Sequence, residues 1–254
     1  MTPHARATAS SGAARRVVSW ALAIGTLACA APAHAQFAAT LGVDSVSRYR
    51  GLGTDDVGPV LRASAMLDSP FAATSGAYAG LAGLWRTRDT GLATIDAIVG
   101  WSGRFNALPA LDALAPDWGW DVGVHRRHDG QDASYDFNET MLGLLAPGWS
   151  TRAWWSPHYF GGHASSLYLE LNGSRDLGNH WRVFGHLGNI RYGPNAYGRP
   201  RSPSRTDTLV GIGYVWDDWD FRLSRDGLLA GHARDELEER RRRAAWTLGA
   251  SVAF

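Results

Sequence analysis

Trp118-Gly119-Trp120-Asp121-Val122-Gly123-Val124-His125 decides the reading of this chain: large apolar residues take every second position, and small or polar ones fall between them. A period of two belongs to an extended strand, whose side chains point alternately to opposite faces. The pattern recurs. Ala93, Ile95, Ala97, Val99 and Trp101 share a face opposite Thr94 and Asp96. Leu167, Leu169 and Leu171 alternate with Tyr168, Glu170 and Asn172, and Val210, Ile212, Tyr214 and Trp216 with Gly211, Gly213 and Val215. A water-soluble sandwich would bury the oily face against a second sheet, whereas a membrane barrel turns it to lipid and keeps the polar face in the lumen.

Twelve such runs can be drawn, at 37–50, 57–68, 76–87, 92–103, 117–127, 134–146, 148–159, 164–176, 180–192, 206–216, 219–230 and 244–254. Clusters of Gly, Pro, Asp and Asn separate them, as turns require. Most are near the ~9–11 residues that a tilted strand needs to cross a bilayer, and an even number suits a single-chain bacterial barrel. No run keeps a helical period. The expectation is all-β: an antiparallel transmembrane β-barrel of about 12 strands. The connections agree with it. Links at 147, 177–179 and 217–218 are tight and 69–75 is moderate, while 193–205 and 231–243 are long and of opposite parity. With a periplasmic N-terminus the long ones become extracellular loops, and only 104–116 is long on the periplasmic side. Trp101, Trp118, Trp149, Trp181, Trp216 and Trp219 all lie within a few residues of an expected periplasmic turn, where an indole rests in hydrocarbon with its N–H among headgroups.

Residues 1–35 read as an address. Arg6, Arg15 and Arg16 precede an apolar run from Val17 to Ala31, and Ala33-His34-Ala35 follows. These are the parts of a secretory signal peptide cut after Ala35, with Ala33 and Ala35 as its small residues; the run is too short for a spanning helix. A twin-arginine signal at Arg15-Arg16 and a lipoprotein site at Leu27-Ala28-Cys29 are weaker readings, the first for its flanks and the second for Thr26 where Leu is usual. Residues 36–254 then form the barrel. At the other end, Trp246, Leu248, Ala250, Val252 and Phe254 share one face. Thr247, Gly249, Val252 and Phe254 resemble the polar, glycine, apolar and aromatic signal by which the barrel assembly machinery reads a last strand. The expected location is the outer membrane of a Gram-negative bacterium.

Composition excludes several classes. A mean hydropathy of −0.21 rules out a bundle of apolar helices. The only Cys, Cys29, falls in the address segment, so the mature chain has no disulfide, thiolate metal site or cysteine nucleophile. Every basic residue is Arg, which we read as genome composition. Removing Arg6, Arg15 and Arg16 from 25 basic residues leaves 22 against 24 acids, a formal charge of −2. A nucleic-acid binder would show a basic excess.

Asp44-Ser45-Val46-Ser47-Arg48-Tyr49-Arg50-Gly51-Leu52-Gly53-Thr54 resembles the opening strand of the proteobacterial Gcw_chp family of conserved hypothetical proteins. Tyr78-Ala79-Gly80-Leu81, Leu167 to Asn172 and Tyr214-Val215-Trp216 are similar to later strands of that family. The chain departs from it in lacking Lys and in its Arg-rich loops. The resemblance implies an outer-membrane or periplasm-facing barrel and, since the family has no settled activity, bears on location and fold and not on catalysis.

Candidate chemistry is sparse. His186-Leu187-Gly188-Asn189 resembles the His-x-Ser-Asn element of outer-membrane lipid A deacylases, but Gly188 stands where the nucleophile belongs. His125, His128, His158 and His163 fall near expected extracellular strand ends, without spacing that fixes a metal site. Asp217, Asp218 and Asp220 read as turn residues. The run Asp235 to Arg243 reads as a solvated, self-neutralising loop; with Arg199, Arg201 and Arg205 it also offers bidentate donors to lipopolysaccharide phosphates. The expected lumen charges are Asp96, Asp121, Glu170, Arg182 and Arg222, which in a pore would set ion preference. No cofactor or metal is expected. The functional expectation is a narrow porin-like channel of unassigned solute. Its rivals are a non-conducting structural or lipopolysaccharide-interacting barrel and, behind that, a lipid-modifying enzyme.

Overall fold

The computed structural model describes residues 36–53, 58–72, 75–88, 91–105, 117–161, 164–193, 204–230 and 244–254. The address segment with Ala33 and Ala35, the link at 106–116, Arg199, Arg201 and residues 231–243 lie outside the described residues. The strands are β1 (Gln36–Asp44), β2 (Arg48–Tyr49), β3 (Leu52–Gly53), β4 (Val60–Ala72), β5 (Ser75–Arg86), β6 (Gly91–Arg104), β7 (Gly119–Asp129), β8 (Phe137–Ala146), β9 (Trp149–Ser156), β10 (Ser166–Gly178), β11 (Trp181–Tyr192), β12 (Ser204–Trp216), β13 (Trp219–Ala230) and β14 (Ala245–Ala253). β1 and β4 to β14 form one closed antiparallel barrel of 12 strands, and β2 and β3 pair as a separate hairpin. The expected fold class is observed.

Each strand pairs with its sequence neighbour, and the ring closes where β14 meets β1, with Leu41 opposite Val252 and Val43 opposite Ala250. Phe254 adds two backbone bonds to this seam: its N–H donates to Ala39 O (2.9 Å), and Ala39 N–H donates to Phe254 O (3.3 Å). Closure leaves no unpaired edge, which is what permits strands to stand in hydrocarbon. Thr247 and Gly249 take the inward parity of β14, Val252 and Phe254 the outward one.

The period of two sorts the residues as the sequence implies. Leu142, Val210, Leu248 and Val99 point outward and are 59–66% exposed, while their neighbours Met141, Gly143 and Asp121 turn inward and are buried. The two-residue links at 147–148, 179–180 and 217–218 all fall at one end. There Asn179 and His180 (φ 50° and 69°) both adopt the left-handed conformation that a two-residue hairpin turn demands. Trp149, Trp181, Trp216 and Trp219 sit at this end of their strands. Trp118 packs edge-on to Trp149 at 5.1 Å, and Trp181 lies 4.9 Å from Tyr214. At the loop end, Phe137, Tyr159, Tyr168 and Ile190 form a buried apolar cluster packed by Tyr49, Trp154, Phe160 and Tyr192.

Three corrections concern boundaries. The run expected at 37–50 leaves the barrel at Asp44, and the chain turns inward as β2–β3. Arg50 (φ 49°) and Gly51 (φ 75°) make the reversal, a conformation that suits Gly51. Arg205, expected in a loop, is a buried inward residue of β12, and Asp220, expected in a turn, lies on β13 with only Asp217 and Asp218 in the turn.

Candidate functional site

The inward face carries several clusters of paired charges. One centres on Glu139 on β8, whose side chain is 1% exposed. Arg50 donates to it twice, from Nη1 at 2.9 Å and Nη2 at 2.7 Å. This two-pronged geometry is among the stronger polar contacts a protein makes. Register explains the rest. His125 lies directly across from Glu139 on β7, and Asp96 directly across from Arg127 on β6. His125 Nδ1 is 3.3 Å from Glu139 Oε2 and its Nε2 is 3.0 Å from Asp96 Oδ1. Opposite charges facing each other across a ladder stabilise the pairing. The Arg50 guanidinium also sits 4.2 Å from the Tyr168 ring centroid, and that of Arg127 sits 3.9 Å from Tyr49, both favourable cation–π distances. Arg48 pairs with Asp226 on β13.

Tyr168 begins a second chain. Its hydroxyl donates to Asp207 Oδ2 (3.1 Å) and lies 2.8 Å from His186 Nε2, while His186 Nδ1 is 2.7 Å from Asn172 Oδ1. Towards the turn end, Arg152 Nε donates to Asp121 Oδ2 (3.2 Å) and its Nη1 is 3.9 Å from Glu170. On another part of the wall Arg182 pairs with Asp220, Arg222 bridges Asp220 and Asp44, and Arg62 pairs with Asp44 at 3.0 Å. The five expected lumen charges, Asp96, Asp121, Glu170, Arg182 and Arg222, all take inward positions, each beside an opposite charge. Arg48, Arg50, Arg62, Arg127, Glu139, Arg152, Asp207 and Asp226 also belong to these clusters, and the sequence pattern does not mark them as lumen charges. Three cavities of about 440, 610 and 220 Å³ lie along this wall. Alternating donors and acceptors around such space can exchange hydrogen bonds with a hydrated solute.

The other candidates separate. His125 belongs to the Glu139 cluster and not to a rim. His128 binds Asp136 in the loop after β7, His158 is exposed, and His163 lies outside the described residues. Partial burial pushes the Asp136 carboxyl up, but the His128 ring and the Asp129 N–H outweigh it and hold the carboxyl below its ordinary value. Among the described residues no group of three or more His, Cys, Asp or Glu is placed to hold a metal. Gly188 has a steric reason to lack a side chain. A Cβ there would stand 2.8 Å from Asp207 Oδ1 and would run into the Tyr168 hydroxyl. Gly188→Ser is therefore expected to break the Tyr168–Asp207 bond and cost about 1–3 kcal/mol. Urea unfolding of the refolded variant checks this, and an unchanged midpoint would refute the crowding.

No family model and no curated protein matches the chain. Solved structures do. The NanC porin matches with a TM-score of 0.50 and 7% identity, covering 85% of this chain and 98% of that one. The fold is porin-like. A membrane protein solved in work on in-meso crystallisation matches with a TM-score of 0.50 and 10% identity, over 85% of this chain and 83% of that one. An outer membrane channel from Pseudomonas putida F1 gives a TM-score of 0.47 and 11% identity, over 88% and 96%. At such identities the likeness is one of architecture, that of a closed antiparallel β-barrel.

Proposed function

We propose that this porin-like barrel resides in the outer membrane and acts as a narrow channel for small polar solutes. The observation that carries the reading is the chambered, charge-paired inner wall, bounded by an outer face of exposed Leu, Val and Trp. Twelve strands lie between the roughly 8 whose interior side chains fill and the 16 or more that leave a wide aqueous channel, which favours a tight path crossed by side chains. Its partners on this reading are outer-membrane lipid and lipopolysaccharide around the wall, and the barrel assembly machinery acting on β14. The resemblance to the Gcw_chp family fits the same placement.

The second reading, a non-conducting structural or lipopolysaccharide-interacting barrel, is favoured by one observation: the same charge pairs bridge neighbouring strands and fill the loop end. Planar-bilayer recording of the refolded chain 36–254 separates the two. Discrete current steps of low conductance are expected. Silence from the native chain, and equally from a folded form with Arg50 and Glu139 both cut to alanine, would overturn the channel.

A further inference from the structure

The link between β1 and β4 is longer than its strands require. Asp44 and Val60 are the last paired residues, so a two-residue turn between Ser45 and Pro59 would join them. The chain instead sends Arg48, Tyr49 and Arg50 into the mouth of the barrel. Arg48 meets Asp226 on β13, and Arg50 meets Glu139 on β8. These strands stand nearly opposite in the ring (β8-β9-β10-β11-β12-β13), so the hairpin spans the lumen as a crossbar. It also roofs the cavity of about 440 Å³, whose lining runs from Arg48 and Gly51 to Asp96, Glu170 and His186.

We propose that this hairpin is a movable gate, seated in the mouth in the structure and withdrawn outward when the channel opens. The proposal rests on the channel reading above. Two features make the seat releasable. The hairpin's own ladder has two residue pairs, Arg48 with Gly53 and Tyr49 with Leu52. Its hold on the walls is by side chains, among them two ion pairs, the stacking of Arg50 and Arg127 on Tyr168 and Tyr49, and the edge contacts of Tyr49 with Phe137 and Phe160. Ion pairs and ring contacts can break and re-form without unzipping a strand of the barrel. The anchoring at Ser45, whose N–H donates to Leu248 O (2.8 Å), stays behind as a hinge.

The test compares two proteins in planar bilayers, each first shown to be folded by heat-modifiable gel migration: the native chain and a chain with Val46–Gly58 replaced by Asn-Gly. The native barrel is expected to step between closed and open levels, and the hairpin-free barrel to conduct severalfold more and without closures. Equal conductance with and without the hairpin, or a native current that never closes, overturns the gate and leaves the channel standing. Silence from the folded hairpin-free barrel overturns the channel reading itself.

Discussion

Replacing Leu142 by arginine is expected to cost about 2–4 kcal/mol of stability in a lipid bilayer, the range for a basic side chain facing lipid at mid-depth. Leu142 is 62% exposed on the outward face. It lies midway along β8, flanked by Val122 on β7 and Ala153 on β9. If that face meets acyl chains, an arginine there must stretch towards the headgroups or drag water and phosphate inward. The control is Thr40→Arg. Thr40 is also exposed, but its parity is inward, opposite Ser64, so an arginine there enters the lumen and should change stability by about 0.5 kcal/mol or less, as at an ordinary surface site. Urea unfolding in vesicles measures both. A barrel standing in water would show no asymmetry between the two positions, and equal values would dismiss the bilayer as its solvent.

The faces of the strands are legible in the sequence because alternation is a local property. Val122 and Val124 are oily where Asp121 and Gly123 are not, and the register then places every one of them. The same parity that assigns Asp96 and Glu170 to the lumen assigns Glu139 and Asp207, so the signal for those two is present in the sequence, though only pairing across strands shows which carboxylates matter. The segment from Asp44 to Arg50 is different. Arg48 and Arg50 fall on the inward parity of a continued β1, so period two cannot tell a longer strand from a hairpin bent into the lumen. What decides is the partner of Arg50, Glu139, 89 positions away, and no local pattern encodes a contact at that separation. The turn propensity of Gly51 and Gly53 is the sole local hint, and glycine marks turns and tight strand packing alike. The same limit explains Asp220 and Arg205, each read as loop-like from its neighbours and each fixed in the wall by tertiary pairing.

Glu139→Gln is expected to cost about 3–5 kcal/mol, because removing one partner of a buried ion pair strands the other. Glutamine keeps the shape of the side chain but not its charge. Arg50, 7% exposed, would lose the carboxylate that holds both prongs of its guanidinium, and His125 would keep only Asp96. Breaking the pair from the other side, by Arg50→Met, should cost less, because His125 Nδ1, 3.3 Å away, stays beside Glu139. The double variant Arg50→Met with Glu139→Met removes both charges at once and should recover most of the loss, since desolvation of the pair offsets much of its attraction. Urea unfolding of the three refolded proteins gives the coupling directly. A single-variant cost near the 0–1 kcal/mol of an exposed pair would mean that water reaches Glu139 freely and that the crossbar is not seated in the mouth. The sign of the double variant carries a further consequence: recovery of stability together with raised conductance would separate the hold of the gate from the stability of the wall it rests on.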